Sequence, residues 1–539
     1  MNRTSFLWLI VMLFGFNTLS IAQVASAFSK IYGTNTSFED FTHVSKALDN
    51  DLLVVGGLED AAGSDLILAK IDPSTGSSNL WLRAGSDSID SPFGVAQLAD
   101  GGFVVAANTL STYDFYHGDM YIVKVTAFGT LAWSKKFGKP NDVDEGFAMS
   151  VAADGNLIVA GYSYAYSAKQ EAVVWKIDAS TGGVLWAKRL VFRNRPIQYF
   201  RAIENTTDGN ILVLGTSFYA NTFYDPILIK LNSTTGNIVW DKKYASTGSQ
   251  LIYALKKTPD GYVFSGNTPN PTNANKADMF VTKVDETGTP LWSKRYNASL
   301  YERPTSLSVA TNGDIMVGGY AEIATRNSLD TTQMALYMRL NSTGTIQTSQ
   351  VFGDTLKHTS RFQSVIANSP TNTILLGYTF AFGNFNDGKA SLVSINSSST
   401  TPQLTCMRNI PFSTFALAID STVASGYVQN NIADNATVVG VFSLLSLNET
   451  TVCLNTSTQT DVPKNQTLIV YPNPANSFIN LHARDIEKVE IFDVLGKSVL
   501  QISKPIDSNI DVLGLGKGIY GIKITHQSGN ISTTKFIKE

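Results

Sequence analysis

Phe93-Gly-Val-Ala-Gln-Leu98, then Asp100-Gly101-Gly102 and Phe103-Val-Val-Ala-Ala107, then Met120-Tyr-Ile-Val-Lys-Val125 and Leu131-Ala-Trp-Ser-Lys-Lys-Phe137, is the stretch that decides the fold. Its segments are short, rich in β-branched and aromatic residues, and punctuated by glycine, which favours strands over helices. Asp-Gly supplies the positive φ that a tight hairpin needs, so the first two segments read as neighbours in a hairpin. A polar, aromatic loop leads to the third strand, and a turn at Phe128-Gly129 leads to the fourth.

The same unit recurs on both sides. The turn glycines Gly101, Gly155, Gly209, Gly261 and Gly313 are spaced 54, 54, 52 and 52 residues apart. A basic residue recurs at Lys70, Lys124, Lys176, Lys230, Lys283 and Arg339, and a tryptophan at Trp81, Trp133, Trp186, Trp240 and Trp292. Three independent columns share one period near 53. Four-stranded units of this length, none able to bury both faces alone, stack around an axis as the blades of a β-propeller. The reading is all-β, with the propeller spanning residues 28–455. Third strands counted from Leu66–Ile71 to Thr437–Phe442 give eight blades. Seven is the alternative, because the last two units lack both the basic residue and the tryptophan. Phe28-Ser-Lys-Ile-Tyr-Gly33 matches Trp133-Ser-Lys-Lys-Phe-Gly138, so it is expected to complete the last blade and close the ring.

Composition bounds the function. Of 539 residues, 16% are charged, below the roughly 25% usual in globular proteins. The net charge of −3 gives no electrostatic reason to expect nucleic acid or anionic lipid. Arg3, the apolar run Phe6–Phe14 and Ser20-Ile21-Ala22 read as a signal peptide over residues 1–22, cleaved after Ala22, with Ala27 the second choice. Nine strongly apolar residues are short of the ~20 that span a bilayer, and no later run is longer, so no membrane span is expected in the mature chain. Export permits oxidation of the only two cysteines, making Cys406 and Cys453 a candidate disulfide.

Asp178-x-x-Thr181-Gly182-x-x-x-Trp186 and Asn232-x-x-Thr235-Gly236-x-x-x-Trp240 resemble the tryptophan-docking motif of quinoprotein-like propellers. That resemblance implies a structural role: the turn feeds the fourth strand, and the tryptophan docks on the next blade. Some relatives are pyrroloquinoline quinone dehydrogenases carrying a vicinal cysteine pair, which this chain lacks. No calcium ligand set is recognisable, and no cofactor is expected.

Residues 456–467 read as a polar linker. Beyond it come Val470-Tyr-Pro-Asn-Pro474, Phe492-Asp-Val-Leu-Gly-Lys497, Gly518-Ile-Tyr520 and a lysine-rich end. Alternating segments and glycine turns over residues 468–539 suggest a small β-sandwich. The module strongly resembles the C-terminal sorting domain of type IX secretion cargo. On that resemblance Tyr471, Pro472, Asn473, Pro474, Asp493, Gly496, Lys497, Gly518 and Tyr520 carry the sorting signal. The partner implied is the type IX translocon. The destination implied is secretion or the cell surface, through the periplasm and outer membrane of a Gram-negative bacterium.

In the propeller, one rim holds tight turns and the other the longer loops, where binding usually lives. The aromatic residues Tyr113, Tyr116, Tyr164, Tyr219, Tyr224 and Phe382 are the candidate contacts for an extracellular glycan or protein. The competing reading has such rings cover the neighbouring blades. Acids precede the first strands at Asp40, Asp90, Asp144, Glu145 and Glu302 and are candidates to ring the channel mouth. The histidines His43, His117, His358, His482 and His526 form no metal or nucleophile motif. The expectation is a non-catalytic binding or adhesion protein. A secreted polysaccharide hydrolase or lyase is the alternative, and a quinoprotein dehydrogenase a weaker one.

Overall fold

The computed structural model describes residues 27–453 and 469–539, except 34–36, 61–62, 86–88, 111–117, 128–129, 139–142, 165–169, 193–194, 220–222, 299–300, 325–330, 354–358, 381–387, 405, 412, 417–419, 423–426, 432–436, 439–440, 445–447, 472–474, 483–485, 493–497, 504–508 and 527–530. The expected signal peptide, Tyr113, Tyr116, Phe382, Pro472 to Pro474, and Asp493 to Lys497 lie outside the described residues. The described elements are all strands. The chain divides into two compact units, Met1–Thr456 and Ser457–Glu539.

In the first unit, strands assemble into four-stranded antiparallel blades. Blade 3 is typical: Asp144–Val151 pairs with Leu157–Ser163, that strand with Glu171–Ile177, and that with Val184–Phe192. Every residue of the two middle strands is buried, because neighbouring blades cover both faces. Hence these strands are nearly continuous apolar runs rather than alternating ones. The described strands make seven such blades. The innermost strands are His43–Lys46 (with Phe38–Glu39), Ile89–Gln97, Asp144–Val151, Arg195–Asn205, Leu251–Thr258, Tyr301–Val309 and Ser360–Ser369. Blade 7 takes its fourth strand from the N-terminal end: Phe28–Gly33 pairs with Lys389–Asn396.

Seven apolar clusters fill the seams between consecutive blades. The seam that closes the ring sets Ile374, Leu376 and Leu392 of blade 7 against Phe41, Val54 and Ile67 of blade 1. Closure leaves each innermost strand facing the axis, which is what builds the site described below.

The eighth unit expected near 415–453 is not a blade. Its strands pair one at a time on the outside of existing blades. Met407–Asn409 joins the fourth strand of blade 6, Ser413–Ala416 that of blade 5, and Asp420–Thr422 that of blade 4. Tyr427–Asn431 joins blade 3, Thr437–Val438 blade 2, Val441–Leu444 blade 1, and Asn448–Cys453 the N-terminal strand in blade 7. The chain thus runs a girdle around the ring, capping every outer edge with a fifth strand. The sequence count differs here because the girdle strands have blade-like composition and spacing, yet each pairs with an earlier blade rather than with its neighbour. Cys406, at the start of the girdle, is disulfide-bonded.

The repeated columns prove to be seam and turn chemistry. Lys124 Nζ reaches Asp100 of its own blade's hairpin turn at 2.6 Å, and Asp100 Oδ1 accepts the Gly102 N–H at 2.9 Å. The pairing repeats at Lys230–Asp208, Lys283–Asp260 and Arg339–Asp314. Lys176 pairs with Asp154 and also donates to the Ser233 carbonyl of the next blade at 2.7 Å. Each docked tryptophan rests on the glycine of the next blade's third turn. Trp133 lies against Gly182, and Trp186 against Gly236, both glycines at positive φ. Trp186 Nε1 donates to Ser233 O at 3.3 Å. In blade 7, Phe28 takes the tryptophan's place against Gly76.

The second unit holds a three-stranded sheet, Ile469–Tyr471, Phe478–His482 and Asn509–Asp511. A four-stranded sheet contains Ser498–Ser503, Ile486–Phe492, Gly518–His526 and Ile531–Lys538. Ile479, Leu481, Val489, Ile522, Ile524 and Phe536 form their shared core. Gly518 begins an exposed strand end. Tyr520 stacks on Phe536 with centroids 5.6 Å apart, and its hydroxyl donates to Gly516 O.

Candidate functional site

The site is built by a repeated irregularity. In six innermost strands the pairing register slips by one residue, leaving Phe93, Phe147, Arg201, Tyr253, Thr305 and Gln363 as bulged positions. In blade 1 the innermost strand is interrupted, and Thr42 sits at the break. A bulge bends its strand and re-aims a side chain. All seven residues line one cavity of about 380 Å³ in the central channel. His43, Ser91, Pro92, Asn108, Glu145, Gly146 and Arg303 complete its wall.

Hydrogen bonds between blades fix this wall. Asn108 donates to Gly146 O at 2.9 Å and accepts the Gly146 N–H at 2.8 Å. Thr305 Oγ1 donates to Phe362 O at 2.6 Å. The arginines lie on aromatic faces: Arg201 is 4.5 Å from the Phe147 centroid, and Arg303 4.2 Å from that of Tyr253. Arg361, on the same inner strand as Gln363, lies 4.5 Å over Tyr320 and donates to Gln333.

Charge is unevenly spread around the ring. Burial lowers Arg201, and the neighbouring Arg303 lowers it further. His43 is held neutral, down to about 4, by burial and by the charges of Lys256 and Arg201. Burial raises Glu145 above the usual carboxylate range. Burial also lifts Asp40 to about 6, against the pull of the Gly57 N–H that it accepts at 2.7 Å. The cavity therefore has a cationic, aromatic side at blades 4 to 6 and an acid at Glu145.

Of the aromatic contacts expected from the sequence, Tyr164, Tyr219 and Tyr224 lie among the described residues. Tyr164 is exposed and packs edge-on to Tyr162, with centroids 5.7 Å apart. Tyr224 is half-buried, and its backbone carbonyl accepts the Gln250 N–H. Tyr219 lies in a strand whose backbone pairs with Phe223. Neither Tyr164 nor Tyr224 lines the cavity. Phe38, Tyr378 and Phe380 pack on one another across blades 7 and 1, as in the covering reading of rim aromatics. Of the expected acids, Glu145 alone lines the cavity. Among the described residues no three of His, Cys, Asp and Glu converge as a metal site.

Two family models match parts of the chain. Residues 469–539 match the family described as secretion system C-terminal sorting domain. Residues 118–264 match the family described as outer membrane protein assembly factor BamB. The quinoprotein ethanol dehydrogenase of Pseudomonas putida is 24% identical over 193 residues, 34% of this chain and 28% of that protein. The enzyme of the same description from Pseudomonas aeruginosa is 22% identical over 256 residues, 46% of this chain and 35% of that protein. The chain thus spans about a third of the length of these relatives. Among solved structures, a protein of unknown function from Dyadobacter fermentans aligns over 68% of this chain and 98% of its own at 10% identity, with a TM-score of 0.38. The quinohemoprotein alcohol dehydrogenase of Comamonas testosteroni aligns over 70% of this chain and 78% of its own at 10% identity, with a TM-score of 0.36. No described helix is long and apolar enough to cross a membrane. The chain carries a type IX secretion system C-terminal sorting domain behind an all-β, quinoprotein-like repeat domain, which marks it for export to the cell surface or beyond.

Proposed function

We propose that this is an exported β-propeller binding protein, active at the cell surface or outside the cell, whose ligand enters the central channel. The observation that carries the reading is the ring of seven re-aimed side chains, one from each blade, facing a single cavity. Six innermost strands bulge at the residue that lines the cavity, and the seventh breaks there. A bulge there exchanges ladder pairing for a side chain directed at a ligand. On this reading the sorting module engages the type IX translocon, and the propeller is the cargo's working part.

One observation favours a second reading, a polysaccharide hydrolase or lyase. Glu145, which lines the cavity, holds its proton above the usual range, as a general acid requires. The residues do not fit a quinone cofactor of the dehydrogenase kind. No acidic cluster is present to hold its cation among the described residues, and the two cysteines lie 47 positions apart. No step is derived through that group.

A screen of the purified propeller against glycans and polysaccharides, scored separately for retention and for product release, tests both readings. Retention without release supports binding, and release abolished in Glu145→Gln supports the enzyme. Deleting residues 469–539 is expected to leave the propeller inside the outer membrane, measured by fractionation. Undiminished appearance of the truncated chain in the medium would count against the export route.

A further inference from the structure

The channel's chemistry narrows the ligand, taking the binding reading as its premise. Arg201 and Arg303 line the same cavity and are near enough for their charges to repel. Among the described residues neither forms an ion pair. Arg303 Nε is buried without a hydrogen-bond partner, as is Nδ1 of the lining His43. Each guanidinium lies on an aromatic ring, Phe147 or Tyr253. Stacking fixes the plane, Tyr320 engages part of the Arg303 guanidinium, and the remaining N–H groups form a fork that matches a carboxylate.

The rest of the lining includes the hydrogen-bonding groups Thr42, Ser91, Thr305 and Gln363, and one acid, Glu145, whose proton burial holds above the usual carboxylate range. These groups suit hydroxyls. The wall is a closed ring of seven strands, so an extended chain cannot lie across it. A single sugar or the end of a glycan fits such a well, whose volume is that of a small-ligand pocket. We infer that the channel binds a terminal sugar acid, its carboxylate between Arg201 and Arg303 and its hydroxyls on the threonine, serine and glutamine side chains of the same wall. Arg201 feels the charge of Glu145 as well as that of Arg303, and burial holds Glu145 toward its protonated form, so an incoming carboxylate relieves the repulsion between the two half-buried cations.

Isothermal titration of the full chain tests this with galacturonic acid, glucuronic acid and a galacturonate trimer. Glucose and maltotriose serve as neutral counterparts, and acetate and inorganic phosphate as plain anions. The acidic sugars are expected to bind at least tenfold more tightly than either control group. Arg201→Gln and Arg303→Gln are each expected to weaken that binding tenfold or more. Arg201→Lys and Arg303→Lys, which keep the charge and lose the fork, should give smaller losses. Gln363→Trp, which fills the well without touching the arginines, should also block binding. Melting curves identify any variant that fails to fold.

Neutral sugars binding as well as acidic ones, or folded arginine variants that retain full affinity, overturn the inference. Acetate or phosphate binding as tightly as the sugar acids overturns its saccharide part. No affinity for any of these acids, in a protein that still retains another glycan or a protein partner, overturns the inference and leaves the binding function standing. Absence of every ligand overturns both.

Discussion

His43 and Asp40 lie next to one wall of the channel and pull stability in opposite directions with pH. The folded imidazole stays neutral to about 4, whereas an unfolded histidine takes a proton near 6.5. Between those values the unfolded state binds more protons, so this residue lowers stability as pH falls. The Asp40 carboxyl holds its proton to about 6 when folded, against 3.8 when unfolded. It therefore lowers stability as pH rises through the same range. Each contribution is on the order of 2–3 kcal/mol, and the wild-type profile is expected to be nearly flat. Asp40→Asn should expose a loss of stability on acidification, and His43→Gln a loss on raising the pH from 4 to 6. Urea titrations at several pH values check this; parallel profiles for all three proteins would contradict it. The site itself was poorly legible at this scale. Thr42, Phe93, Phe147, Arg201, Tyr253, Thr305 and Gln363 share a position and no chemistry, so a search for repeated residue types passes over them. Their common feature is a slipped register, which exists only once strands pair.

At the scale of the element, the columns that revealed the repeat are the devices joining one blade to the next. Gly236 has a φ of +69°, and a Cβ there would meet the Trp186 ring and the Lys188 chain at 2.9 Å. Gly209 has a φ of +76° with nothing within 4 Å. Gly209→Ala is thus expected to cost only backbone strain, roughly 1–2 kcal/mol, while Gly236→Ala adds the loss of tryptophan docking and should cost about 3 kcal/mol or more. Equal costs in denaturant titrations would show that the docking contributes nothing. Lys176→Met removes one of the two donors to the Ser233 carbonyl together with the partner of Asp154, and should destabilise by about 1–3 kcal/mol. These elements were readable because each carries a fixed residue type at a fixed offset: Asp-Gly at the hairpin, a base on the third strand, tryptophan on the fourth. The N-terminal strand was readable for the same reason, since Phe28–Gly33 repeats the pattern of a fourth strand. The girdle offered no comparable mark. Its strands bond to partners up to several hundred residues away, and nothing local distinguishes them from a degenerate blade.

At the scale of the whole molecule, closure depends on both ends of the propeller chain. Removing residues 28–33 strips blade 7 of its fourth strand and leaves Asn448–Cys453 without its partner. Such a protein is expected to show early protease cleavage in blade 7 and in the girdle, and to associate through the opened edge. A monomer as protease-resistant as the full chain would refute this account of closure. Cys406 is disulfide-bonded, and Cys453 is the other cysteine of the sequence. A bond between them buckles a loop of about 48 residues, worth roughly 4 kcal/mol in lost unfolded-state freedom. Reduction is expected to lower the melting temperature and to make the girdle the first segment to exchange its amide hydrogens. Unchanged exchange there after reduction would place the bond's role elsewhere.

The girdle travels against the order of synthesis, visiting blades 6, 5, 4, 3, 2 and 1 before it meets blade 7. The first strand made must therefore wait for almost the last before it is flanked on both sides. The export address is encoded only after that last strand. A prematurely terminated chain lacks its final hoop and its address together, so possession of the address certifies that everything needed to finish the ring has been made.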